Sequence, residues 1–148
     1  MGLVAINQSR AVIFEGQNLI VKTRYVTDDG TRMSADGGAS SKIVASASFK
    51  VYDLDSATPD TVLNGTPTLT VGNVFTTEAQ GYLTSGWTKD GTGYDFEHVV
   101  LDTTDVTWKG GHRYRVDYFV EQTAYTLTLG AVEGEQRNSV YVRVKESY

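Results

Sequence analysis

The stretch from Gly110 to Val120 constrains the fold of this chain more than any other segment. After a Gly-Gly turn, side chains of two kinds alternate strictly: the apolar ones are Tyr114, Val116, Tyr118 and Val120, and the polar ones are Arg113, Arg115 and Asp117. Because a strand directs successive side chains to opposite faces, one face here is suited to burial and the other to solvent. The pattern predicts a central strand of a half-buried antiparallel sheet.

The same two-residue period recurs along the chain. It predicts further strands over residues 18–27, 43–53, 68–71, 94–101, 125–129 and 140–145, and loops or turns over 31–42, 53–60, 76–93 and 133–138. No window has the i, i+3, i+4, i+7 stripe of an amphipathic helix. We therefore predict an all-β fold of about seven to nine strands in two packed sheets, because half-buried strands need a facing layer.

Residues 1–17 precede the first confident strand and carry short apolar runs. Their apolar side chains include Val4, Ile6, Val12 and Phe14. Such a segment is either the first strand of the sheet or an N-terminal arm that adds a strand to a neighbouring subunit, and both interpretations stay open. The β-sandwich domain itself is expected over residues 18–148.

Length and composition exclude several classes of protein. A chain of 148 residues is expected to form one domain, and it is long enough to bury a hydrophobic core that needs no metal or disulfide for stability. Because it has no cysteine, a disulfide framework, a thiolate zinc site and a thiol nucleophile are all excluded. A net charge of −5 argues against nucleic acid as a partner. The apolar runs are too short for a bilayer, and the N-terminus lacks signal-peptide features, so we expect neither membrane insertion nor export.

Residues for acid–base or nucleophilic catalysis are sparse. The chain has two histidines, His98 and His112, and both are interpreted as structural. No serine lies in a nucleophile elbow, and neither Gly-Gly pair has the spacing of a phosphate-binding loop. We therefore predict no enzyme activity, no catalytic residue and no cofactor.

Two ligand-binding hypotheses each have a simpler interpretation. Asp53, Asp55, Asp60 and Asn64 are oxygen ligands of the kind calcium prefers, but their spacing is not that of an EF-hand and loops are rich in these residues anyway. No metal site is predicted. A sugar-binding aromatic platform has as its candidates Tyr82, Trp87, Tyr94, Trp108 and Tyr125. Core and cross-strand packing explains such aromatic residues more simply.

Three segments form a further pattern: residues 18–30, which end in an Asp-Gly turn, residues 45–52, and residues 111–118, which carry a late Gly-x-x-Tyr-x-Val-x-Tyr strand. Together they resemble the immunoglobulin-like modules of virion proteins in tailed bacteriophages. The resemblance spans about residues 16–145 and implies a two-sheet immunoglobulin-like antiparallel sandwich. The chain departs from antibody-type domains because it lacks both cysteines, and neither Trp87 nor Trp108 is assignable to the usual core tryptophan.

The resemblance implies a non-enzymatic virion component: a capsid decoration or cement protein, a neck or head–tail connector, or a baseplate part. Its expected partners are major capsid, neck or tail proteins and further copies of itself, within a virion assembled in the host cytoplasm. The expected interface residues are Val4, Ile6, Val12 and Phe14, together with loops around Met33 and Trp87. A chain lacking residues 1–14 is expected to fold yet fail to join its particle. The alternative is an immunoglobulin-like module that binds glycan or a host surface.

Overall fold

The computed structural model describes residues 3–7, 10–27, 32–34, 41–65, 67–75, 96–123 and 132–146. Within these ranges the chain forms nine strands and one four-residue helix, which confirms the predicted all-β class. The elements are β1 (Leu3–Asn7), β2 (Arg10–Phe14), β3 (Leu19–Thr27), β4 (Arg32–Ser34), β5 (Ser41–Asp53), β6 (Thr68–Leu69), α1 (Val71–Val74), β7 (Phe96–Val100), β8 (Arg113–Thr123) and β9 (Val132–Lys145). No helix in the described part of the chain is long and apolar enough to cross a membrane.

The first sheet is built around β3. On one side β3 pairs antiparallel with β1, from Leu3 opposite Thr27 to Asn7 opposite Thr23. On the other side it pairs antiparallel with β7 and, at Val26, with β4. The start of β5 then pairs parallel with β4 and so completes this sheet.

The second sheet is built around β8, the strand that the alternating stretch predicted to be central. It pairs antiparallel with β5 on one side and with β9 on the other. Beyond β9 lies β2, which pairs with it in parallel, and beyond β5 lies the short β6. The parallel pairs β2–β9 and β4–β5 depart from the purely antiparallel sandwich expected from the sequence.

Strand β5 belongs to both sheets. Residues Ser41 to Ile43 pair with β4 in the first sheet, and the residues from Val44 onward pair with β8 in the second. The register shifts between Val44 and Ser46, at a bulge-like irregularity. Such an irregularity bends a strand, which allows one strand to leave one sheet and enter the next.

The core lies between the two sheets and follows the predicted alternation. In β8, Tyr114, Val116, Tyr118 and Val120 are all buried. The rings of Phe96 in the first sheet and Tyr118 in the second meet edge to face, with centroids 5.3 Å apart. This geometry is favourable for aromatic pairs beyond the area that they bury. The sheets therefore pack face to face through aromatic side chains.

Three expectations about polar segments were wrong. Asp117, expected in solvent, is fully buried on β8, where it binds Arg115 and Ser139. Residues 133–138, expected to form a turn, continue β9, and residues 134–138 pair one by one with β8. The expected loop over residues 31–42 contains β4 and the start of β5. The predicted strand over residues 125–129 and the predicted loop over 76–93 lie outside the described residues.

Candidate interaction surface

The predicted interface residues do not share one place in the structure. Val4 and Ile6 lie in β1, opposite Val26 and Arg24 of the same chain. Met33 lies in β4, opposite Lys42. Trp87 lies outside the described residues. The N-terminal segment is therefore divided: β1 pairs in the first sheet, and β2 pairs in the second.

Val12 and Phe14 lie together on the outer face of β2. Their side chains are 59% and 46% exposed, whereas Ile13 between them is buried in the core. On the neighbouring strand β9, Tyr141 is 50% exposed on the same face. We call the exposed side chains of Arg10, Val12, Phe14, Tyr141 and Arg143 the β2–β9 surface.

Part of the β2–β9 surface forms a groove of about 560 Å³. The strand register sets its layout, because Arg10 lies opposite Tyr141 and Val12 lies opposite Arg143. Leu54 and Arg113 also line the groove. The result is an alternation of guanidinium groups and apolar side chains.

The arginines along this side of the sheet differ in their partners. Arg113 donates from its Nη2 to Asp55 Oδ1 at 2.8 Å, and its backbone N–H donates to Asp55 Oδ2 at 2.7 Å. These hydrogen bonds, the side-chain one first, lower the pKa of Asp55 to about 2. Arg115 pairs with Asp117 at 3.1 Å and lies 4.6 Å from the centre of the Tyr52 ring.

Arg10 and Arg143 have no such partner. Both side chains are exposed, and among the residues that the structure describes neither has a carboxylate within ion-pair distance. The β2–β9 surface therefore concentrates uncompensated positive charge on a chain whose net charge is −5.

The two edges of the second sheet also differ, because one has hydrogen-bond partners for its backbone and the other, among the described residues, has no paired strand. Along β5 the outer edge is covered: Phe49 N–H donates to Pro67 C=O at 2.8 Å, and Asn64 binds the backbone of Phe49 and Val51. Strand β2 ends the sheet on the other side, and within the described ranges no strand pairs with its outer edge. An exposed edge strand is a template for another extended segment.

The acidic residues weighed as calcium ligands serve other contacts. The carboxylate of Asp53 is buried and lies 2.8 Å from His112 Nδ1. Asp55 binds Arg113, and Asn64 binds the β5 backbone. Within the described residues no three metal-ligating side chains come together. The contacts of Asp53, Asp55 and Asn64 are therefore with other groups of this chain.

Among the candidates for catalysis and for sugar binding, His98 and Trp108 take part in packing contacts. His98 Nδ1 lies 2.8 Å from the Tyr118 hydroxyl, and burial lowers the pKa of His98 to about 4. Trp108 is 2% exposed, and its ring lies edge-on to Tyr114 with centroids 4.9 Å apart. It therefore offers no face to a sugar. The other four platform candidates, Tyr82, Trp87, Tyr94 and Tyr125, lie outside the described residues.

Sequence reasoning missed Arg10, Tyr141 and Arg143 as parts of a surface. The alternation in β9 does place Tyr141 and Arg143 on the outer face, as expected. Nothing in the sequence places β2 beside β9, because that pairing joins the two ends of the chain. Comparison with known proteins adds no identification: no protein-family description matches the chain, and a search of curated proteins finds no significant relative.

Proposed function

We propose that this chain is a non-enzymatic structural component of a tailed-bacteriophage virion, built as an immunoglobulin-like sandwich. It acts by burying surface against other virion proteins and against further copies of itself. The observation that supports contacts with other virion proteins is the β2–β9 surface, where Val12, Phe14 and Tyr141 expose apolar area beside arginines. Clustered exposed apolar groups mark interaction sites, and aromatic residues and arginine are enriched in protein interfaces.

Strand pairing supports the immunoglobulin-like part of the proposal. Strands β5, β8 and β9 form one sheet and β3 pairs with β7 in the other, as in the two sheets of such domains. The start of the chain contributes to both sheets through β1 and β2.

Tyr114 supplies a second, independent argument for this fold. Its hydroxyl accepts a hydrogen bond from the backbone N–H of Lys109 at 2.8 Å, just before β8 begins. Immunoglobulin domains carry a tyrosine corner of this form, two residues before the second core cysteine. Here that position is the fully buried Val116.

Light scattering of the purified chain at low and high concentration tests the assembly role. We expect a closed oligomer, and its subunit number indicates which symmetry axis of a virion it fits. A monomer at every concentration would overturn the homo-oligomeric role. It would favour the alternative of a module that binds glycan or a host surface, which a glycan array then tests.

A further inference from the structure

We infer that the outer edge of β2 and the adjoining groove bind an extended acidic segment of another protein, which joins the second sheet as an additional strand. This inference rests on the assembly role proposed above and specifies the chemistry of the partner. Three features of the β2–β9 surface carry it: backbone groups that point outward, unpaired guanidinium groups, and exposed apolar side chains between them.

The backbone of β2 offers hydrogen bonds at two residues. The N–H of Glu15 donates to the C=O of Lys145 at 2.9 Å, so the odd-numbered residues of this segment direct their backbone groups toward β9. Arg10 and Val12 therefore direct theirs outward. The outward N–H of Phe14 donates to Gln17 Oε1 at 2.9 Å, and its C=O accepts from the N–H of Gln17. A partner strand thus pairs at Arg10 and Val12 and stops before Phe14.

The positive charges on the β2–β9 surface indicate that the partner is negatively charged. Arg10 and Arg143 flank Val12 and Tyr141 on one face, and in the described part of the chain no carboxylate neutralises either arginine. Guanidinium groups bind carboxylates in a two-pronged geometry that suits carboxylate side chains on a strand. Two copies of this chain that met through the same surface would bring two arginine-bearing, positively charged surfaces together, which disfavours a second copy as the occupant.

The register then gives a sequence pattern for the partner. A strand added beside β2 directs every second side chain to the outer face. One of these side chains lies next to Arg10 and the following one next to Val12, whereas Arg143 lies directly opposite Val12 on β9, on the other side of β2. The structure therefore fits a segment with an acidic and an apolar side chain at successive alternate positions. A further carboxylate in the segment is attracted by Arg143 across β2.

The test uses a fluorescent, end-capped peptide of about seven residues in which glutamate, valine and glutamate occupy alternate positions between threonines. Binding to the full chain is measured by fluorescence anisotropy at low and at raised salt. The comparison probes are the same peptide with lysine in place of glutamate, a sulfated oligosaccharide and a short single-stranded DNA. We expect only the acidic peptide to bind, and more weakly as salt rises.

Three variants locate the site. Arg143→Glu is expected to weaken peptide binding about tenfold, because it replaces an attraction by a repulsion. Lys109→Glu is the matched control: it makes the same charge change at an exposed turn, and binding is expected to change by less than about twofold. Val12→Pro removes one outward N–H but no charge and is tolerated on an edge strand, so it is expected to abolish binding while the chain stays folded by circular dichroism.

Each of the following outcomes would overturn the inference. Binding that survives both Arg143→Glu and Val12→Pro places the peptide elsewhere. If the chain prefers the oligosaccharide or the DNA, its partner belongs to another class of molecule. If it binds none of the probes, the surface is not a docking site. An oligomer that Arg143→Glu dissociates assigns the surface to a second copy. Because oligomerisation is measured without peptide, failure of this inference and failure of the proposed function are distinguishable.

Discussion

At the scale of single residues, polar contacts cross the core between the sheets, and two of them join described residues. His98 of β7 contacts the hydroxyl of Tyr118 on β8, and the hydroxyl of Tyr25 on β3 donates to Asn138 on β9. Buried polar groups are stable only when they are hydrogen-bonded, so each pair favours one alignment of the two sheets. These contacts therefore specify how the sheets face each other.

His98 makes stability depend on pH in the mildly acidic range. Burial lowers its pKa from 6.5 to about 4, against the opposing influence of Asp105. The unfolded chain then binds a proton at higher pH than the folded chain does. We expect the free energy of unfolding to be unaffected by His98 above pH 6.5 and to fall by up to about 3 kcal/mol as the pH drops toward 4.

Urea unfolding at a series of pH values checks this prediction, with His98→Gln as the control. Glutamine keeps an acceptor for the Tyr118 hydroxyl but does not titrate. The difference in unfolding free energy between the two proteins isolates the histidine from the carboxylates. Parallel curves between pH 6.5 and 4 would show that His98 is protonated equally in the folded and unfolded chains.

At the scale of elements, the outer edge of β5 is completed by a loop. Residues 63–65 form no strand, yet Leu63 N–H donates to Val51 C=O at 2.8 Å. Asn64 accepts from Val51 N–H at 2.8 Å and donates to Phe49 C=O at 2.9 Å. The Asn64 side-chain amide thus makes the two hydrogen bonds that a backbone peptide group of a neighbouring strand would make.

Asn64→Ala is expected to lower the free energy of unfolding by about 3 kcal/mol, because it leaves two buried backbone groups without partners. Urea denaturation measures the change. Asn18→Ala is the control: Asn18 also accepts a backbone N–H, from Asp102, but at an exposed position, and its loss is expected to cost less than about 1 kcal/mol. Equal costs for the two variants would contradict the role given to Asn64.

At the scale of the whole molecule, the first fourteen residues tie the two sheets together. Strand β1 extends the first sheet, β2 extends the second, and Ile13 enters the core. These contacts oppose the expectation that a chain lacking residues 1–14 folds normally. Point variants on the β2–β9 surface therefore test partner binding more cleanly than the truncation does.

Removal of residues 1–14 is expected to lower the free energy of unfolding by at least about 3 kcal/mol, since truncating a buried isoleucine alone costs that much. Ile13→Ala, which keeps both strands, should lie between the truncated and the full-length chain. Urea denaturation of the three proteins measures the order. Unchanged stability of the truncated chain would mean that its first strands belong to a neighbour, as in the arm interpretation.

The elements that the sequence predicted well are those with a clear two-residue period. β3, β7, β8 and the second half of β9 lie where the alternation placed them, with the apolar side chains of their inward faces buried. The polar stretch 133–138 was misassigned as a turn because its polar composition indicates only that its side chains favour solvent. A polar segment still forms a strand where a neighbouring strand supplies hydrogen bonds to its backbone. Asp117 was misassigned for a related reason, since Arg115 and Ser139 bind its carboxylate in the fold.

The strands with a clear two-residue period, and the apolar side of each, are predictable from the amino-acid order because both follow from local backbone geometry. That β2 runs parallel beside β9, that β5 passes between sheets, and that Arg10 and Arg143 share one surface is known only from the folded chain. Those features depend on contacts between distant segments. Such contacts form only when the core has closed, and the local alternation of residues carries no information about them.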